Sequence, residues 1–296
     1  MLSNAMFISH QKRKLNVPKF KANGIELYYK TSNVKNESDP WIVFLNGVMS
    51  TTASWQPYVE GFESRGFNVL TYNYRNQALS GEPKAMDLEE HVEDLRLLIN
   101  HLKVTKCHLV GVSFGGIIAM KFALKYQESL NSLSVISTTP HLTNALKKTI
   151  DTWIELINLD DISLFFEGMH PFIYHPDYLA KNPDLLEKTV KAMPNVNSNF
   201  FRGQRYLYES LLRLDSLDIN LENTKIPTQI ISGSDDIVTP LSMMEIIHDS
   251  IQGSEWFILP NTAHGVLIER EKQLKTLLIG FIAKQERERY ERNRCY

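Results

Sequence analysis

The sequence is short of cysteine, of long apolar runs and of net charge, and each shortage excludes something. Two cysteines stand among 296 residues, Cys107 in an apolar run and Cys295 in a polar tail, so no disulfide framework is implied. The formal net charge of -2 offers no field that would draw the chain to nucleic acid or to an anionic membrane. The longest apolar stretch, TLLIGFIA at 276–283, falls far short of the roughly 20 residues that cross a bilayer, so no membrane insertion is expected. Residues 1–20 are polar and basic, without the roughly 7–15 apolar residues at the centre of a signal peptide. These absences point to a cytoplasmic protein. No internal repeat, Gly/Ser linker or low-complexity run interrupts the chain. No histidine pair stands at metal-ligand spacing with a carboxylate, so neither a metal nor another cofactor is expected.

What is present is an alternation of strand and helix. Apolar residues make up 43% of the chain, enough for one α/β core with an inserted subdomain. IELYYKT (25–31) alternates like a half-buried strand, whereas WIVFLNG (41–47) is a continuous apolar run, as in a strand covered on both faces. NVLTYNY (68–74), CHLVG (107–111), LSVIS (133–137), PTQIISG (227–233) and EWFILP (255–260) supply further strands. Helical periodicity falls between them: Trp55 to Phe62, closed by Gly66; Leu88 to Leu102, with Asp87 and Glu90 as a capping pair; 114–127; about 240–251; and from about 266. From 139 to 222 there is helical periodicity but no β-rich run, and large apolar groups such as Trp153, Phe165, Phe201 and Tyr208 abound. The expected architecture is α/β, a mostly parallel doubly wound sheet with a helical cap insertion. Residues 18–138 and 223–286 would form the core, 139–222 the cap, and 1–17 and 287–296 polar terminal segments. The charged stretch 286–296 reads as a solvated helix end, with a homo-oligomer contact left open.

The chemistry centres on GVSFGG (111–116). G-x-S-x-G between an apolar strand and an apolar helix is the pattern of a nucleophile elbow, a sharp turn that exposes the serine oxygen. Side chains at Gly111 and Gly115 would collide across such a turn. Ser113 needs a base, and the base an orienting acid. His264, in the loop after the last strand, is the candidate base. Asp235 and Asp236, after the strand at 227–233, are the candidate acids. Both loops leave the carboxyl ends of strands, where parallel sheets build sites. Of the other histidines, His91 and His101 read as solvated, His108 and His248 as structural or exposed, and His170 and His175 as pocket-lining candidates.

Five stretches together resemble the α/β-hydrolase family, over nearly the whole chain from about 18 to 286. VFLNGVMSTTASW resembles the family's strand followed by His-Gly, and LTYNYRNQALS its Asp-x-Arg-Gly-x-Gly-x-Ser stretch. GVSFGG matches the elbow, GSDDIVTP the Gly-x-x-Asp turn, and NTAHGVLIER the histidine loop. The resemblance selects Asp236 over Asp235 and implies a catalytic Ser113, Asp236 and His264. It also implies an oxyanion hole made by the backbone N–H groups of Val48 and Phe114. Asn46 stands where the family has His, and Asn73, Asn76 and Ala78 replace its Asp and two glycines.

The expected function is a serine hydrolase cleaving a carboxylic ester, lactone or thioester through an acyl-enzyme on Ser113. Its partner would be a small molecule with an apolar acyl or alcohol group. An acyltransferase using the same three residues is the alternative. A ligand receptor on a hydrolase scaffold is the third reading.

Overall fold

The structure is a computed structural model that describes residues 18–294 except 33, 35, 37, 82–83, 192–197 and 215–220. The expected polar segment 1–17 and Cys295 lie outside the described residues. Eight strands are described: β1 (Lys19–Ala22), β2 (Ile25–Ser32), β3 (Trp41–Leu45), β4 (Asn68–Tyr72), β5 (Cys107–Val112), β6 (Leu130–Ile136), β7 (Thr228–Gly233) and β8 (Glu255–Leu259). They form one sheet in the order β1-β2-β4-β3-β5-β6-β7-β8. The pairs β1/β2 and β2/β4 are antiparallel and the other five are parallel.

The helices are α1 (Gln56–Glu63), α2 (Leu88–His101), α3 (Phe114–Tyr126), α4 (Asn144–Asn158), α5 (Ile162–Ile173), α6 (Pro176–Lys181), α7 (Leu185–Lys191), α8 (Ser198–Leu212), α9 (Leu241–Ser250), α10 (Val266–Glu269) and α11 (Glu271–Arg294). They cover both faces of the sheet. On β3, Trp41, Val43 and Leu45 join the apolar cluster under α2, α3 and α9, while Ile42 and Phe44 join the one under α1 and α11. A strand buried on both sides needs apolar residues at every position, which is why WIVFL runs without a break. The Asp87–Glu90 capping box closes the start of α2 as expected.

Helices α4 to α8 are inserted between β6 and β7. Leu146, Ile150, Trp153 and Ile157 recur at helical spacing on the buried face of α4. Trp153 meets Tyr208 and Phe172 at ring distances of 5.6 and 6.0 Å, and Phe165 meets Phe201 at 6.0 Å. The large aromatic groups of the insertion therefore pack largely on each other, and their cluster runs on into the one under α2 and α3. Among the described residues no helix is long and apolar enough to cross a membrane.

One expectation needs correction. His91 is not solvated: its side chain is wholly buried, with ring centroids 5.1 Å from Tyr74 and 5.2 Å from Phe114. The buried face of α2 takes in His91 and Asp94 beside Leu88, Val92, Leu95, Leu98 and Ile99, and is thus wider than the apolar residues alone mark out. The C-terminal helix α11 continues past residue 286 to Arg294, with 290–292 and 294 exposed. Glu286 holds that helix to the sheet, its Oε1 lying 2.9 Å from Nε2 of the buried His108.

Candidate active site

β5 ends at Val112 and α3 begins at Phe114, leaving Ser113 alone to make the turn. Its φ of 51° and ψ of -117° are sparsely populated for a residue with a side chain and cost on the order of 1–3 kcal/mol. The surroundings hold it there. Ser113 N–H donates to Ile136 O at 2.9 Å, and Thr138 Oγ1 donates to Ser113 O at 2.7 Å. A Cβ at Gly111 would collide with the Gly115 carbonyl, and one at Gly115 with the carbonyls of Leu45 and Asn46. Both glycines are thus required by close backbone approach.

The other two candidates arrive from loops after β7 and β8. His264 Nε2 lies 3.0 Å from Ser113 Oγ, and His264 Nδ1 lies 2.8 Å from Asp236 Oδ2. Asp236 Oδ1 accepts the N–H groups of Val238 and Thr239 at 2.9 and 2.8 Å, and Thr239 Oγ1 donates to Oδ2 at 2.8 Å. Burial pushes the Asp236 carboxyl up. The His264 charge and the hydrogen bonds from His264 and Thr239 outweigh that and hold it below the usual carboxylate range. It therefore stays an anion beside the imidazole. This relay can take the serine proton at Nε2 while Asp236 holds Nδ1–H. Asp235 is exposed and bonded to Ser234 instead.

The segment after β3 lies beside the serine: a Cβ on Gly47 would stand 3.7 Å from Ser113 Cβ. Sequence reasoning missed what fixes it. Gln77 is 1% exposed, and its Nε2 donates to Gly47 O and Val48 O, both at 2.9 Å. Its Oε1 accepts from Asn46 Nδ2 at 3.1 Å and Tyr74 N–H at 3.2 Å. In a trans peptide the C=O and the next N–H point in opposite directions. Holding Gly47 O therefore sets the direction of the Val48 N–H. Asn46 is also bonded to Tyr72 O at 2.7 Å and, through Oδ1, to Trp55 Nε1 at 2.9 Å. The amide at this position thus ties β3 to the turn after β4. Phe114 is the first residue of α3, where backbone N–H groups have no intrahelical acceptor and the helix end favours negative charge.

The two pocket-lining candidates have partners of their own, and His175 Nε2 also lies 3.9 Å from Asp235 Oδ2. His170 packs against the rings of Phe166 and Tyr174, and His175 Nδ1 caps α6 by accepting Asp177 N–H at 3.1 Å. Among the described residues no group of three or more His, Cys, Asp and Glu side chains could hold a metal ion.

Comparison with known proteins gives a consistent picture. A family profile described as alpha/beta hydrolase fold matches residues 40–271. A Pantoea ananatis protein provisionally named carbamate hydrolase RutD is 24% identical over 262 residues, covering 88% of this chain and 94% of its own. The 3-oxoadipate enol-lactonase 1 of Acinetobacter baylyi is 24% identical over 249 residues, covering 83% and 90%. Among solved structures, MGS-M2, an alpha/beta hydrolase enzyme from a Medee basin deep-sea metagenome library, superposes with a TM-score of 0.85 at 28% identity, covering 90% and 97%.

Proposed function

The chain belongs to the alpha/beta hydrolase fold family, and on that premise we propose that it is a serine hydrolase acting on a carboxylic ester, lactone or thioester. The observation that carries this reading is the Ser113–His264–Asp236 relay, with contacts of 3.0 and 2.8 Å at the carboxyl ends of three parallel strands.

Ser113 Oγ attacks the substrate carbonyl carbon while its proton passes to His264 Nε2. The N–H groups of Val48 and Phe114 receive the oxyanion, and removing one such donor typically costs about 3–4 kcal/mol. Collapse of the tetrahedral intermediate expels the alcohol or thiol, protonated by His264, and leaves an acyl-serine. Water then gives its proton to His264 and attacks the acyl carbon, and collapse of this second intermediate breaks the bond to Ser113 Oγ, which takes the proton back from His264 as the acid leaves. Asp236 stabilises the imidazolium in both halves. An apolar acyl or alcohol group suits the surroundings, because Val48 and Phe114 belong to one apolar cluster with Leu142, Leu146 and Trp153. Similarity to an enol-lactonase puts lactones in the first panel of substrates.

The test is turnover of esters, lactones and thioesters of increasing chain length by wild type and Ser113→Ala. Turnover of at least one class by wild type, with the variant at background, is expected. Equal turnover by both would overturn the reading.

A further inference from the structure

Glu269 is a buried carboxylate that the proposed reaction does not use. It closes α10, and its Oε1 accepts two backbone hydrogen bonds at 3.2 Å each. One comes from Ala263, the residue before His264. The other comes from His175, at the junction of α5 and α6 in the insertion. Beside them, Gly265 N–H donates to Ile173 O at 2.7 Å. A Cβ on Gly265 would stand 2.9 Å from the buried Tyr174 ring. Residues 173–175 and 263–265 thus run against each other and are tied on both sides of His264.

We propose that Glu269 is a positioning residue: by holding Ala263 and His175 on one oxygen, it anchors the α5–α6 junction to the histidine loop and fixes His264 between Ser113 and Asp236. This rests on the reading of His264 as the general base. Glu269 acts through backbone groups and not on the substrate. Both bonds go to a single oxygen, so an amide oxygen serves as well as a carboxylate, and a methyl group does not. Losing the acceptor leaves the buried Ala263 N–H unpaired and the loop free to shift.

The test compares Glu269→Gln, Glu269→Ala, His175→Pro and His175→Ala. Proline at 175 removes the insertion's donor and drives its ring against the shared acceptor oxygen, so the tie is broken from the insertion's side. His175 has φ -60° and Tyr174 before it is extended, so the backbone dihedrals accept proline, while the ring Cδ takes the place of the N–H and pushes Glu269 Oε1 away. His175→Ala keeps the N–H and controls for the lost imidazole. The first readout is the proton NMR signal of His264 Nδ1–H, assigned by its loss in His264→Ala, which needs no substrate. It should persist in Glu269→Gln and His175→Ala, and broaden or vanish in Glu269→Ala and His175→Pro. The second is kinetics on whichever ester the wild type turns over. Small misplacements of a reacting group cost up to about 100-fold, so Glu269→Ala should lose roughly 10–100-fold in kcat with little change in KM, and Glu269→Gln should recover most of it. An unchanged His264 signal in folded Glu269→Ala or His175→Pro would overturn the proposal, as would equal losses in Gln and Ala. A wild type that turns over no ester would count against the hydrolase reading, while the NMR comparison would still decide this one.

Discussion

Ser113, Asp236 and His264 lie far apart in the chain, and each was readable to a different degree. The serine carries its own signature, because the turn that exposes it demands glycines two residues away on both sides. The histidine could be placed only by its loop after a strand. The acid was ambiguous between Asp235 and Asp236 until the resemblance decided it, since both lie in one turn and only packing separates them. The buried Asp236 faces His264, whereas Asp235 is exposed. Asp236→Asn should therefore lower kcat by about 10³–10⁴-fold, and Asp235→Asn should stay within about twofold, both read by steady-state kinetics. If Asp235→Asn is the severe one, the acid is misassigned. Gln77, Thr239 and Glu269 were not legible, because what each one holds is decided by the fold: Gln77 reaches the Gly47 carbonyl 30 residues away, and Glu269 the His175 N–H 94 residues away.

His91 shows the same limit with a consequence for stability. Neither ring nitrogen has a partner among the described residues. Desolvation, followed by the charge of Arg75, pushes its pKa down to about 3. In the unfolded chain it would titrate near 6.5. Between about pH 6.5 and 3 the unfolded state therefore binds a proton that the folded state does not. Its contribution to stability is complete above that window and is lost as pH falls through it. His91→Phe removes both the unpaired nitrogens and this proton uptake. Chemical denaturation across pH should show a shallower acid loss than wild type, with stability at pH 7 no lower. A wild-type slope retained in the variant would contradict the assignment.

Elements were legible where burial imposed a pattern. The central strands are unbroken apolar runs, and α1, α2 and α3 follow from their spacing and caps. β1, four residues at the sheet edge, is too short and too polar to announce itself. The charged end of the C-terminal helix is helical and exposed at 290–292 and 294, and what composition alone does not announce is the tie made at its start. In the fold, Ser132 Oγ lies 2.7 Å from His108 Nδ1, Glu286 Oε1 lies 2.9 Å from Nε2, and Arg289 donates to Glu286 Oε2 at 2.6 Å. This is a second Ser–His–carboxylate constellation. Ser132 is 1% exposed within a strand, however, so its hydroxyl meets no substrate and the group serves as a tie. Deleting 286–296 should spare turnover of folded protein but cost about 1–3 kcal/mol, because His108 loses a charged partner. Deleting 290–296 should leave the thermal midpoint near that of wild type. Equal midpoints for both truncations would show that the tie contributes nothing.

At the scale of the whole molecule, alternation of strand and helix was enough to expect a parallel sheet with helices on both faces. It could not show that β4 lies between β2 and β3, because strand pairing is non-local. That order nonetheless puts the turns after β3 and β5 side by side, which brings Gly47 against Ser113. The insertion shares its apolar cluster with the sheet and is tied to the histidine loop, so the insertion, His264 and Ser113 form one connected structure. The central claim is that this arrangement activates Ser113. Intact mass after exposure to a fluorophosphonate, which reports an activated serine without knowledge of the substrate, tests it most directly. The account predicts one adduct on wild type and none on Ser113→Ala. No adduct on folded wild type, or the same adduct on both proteins, would contradict it.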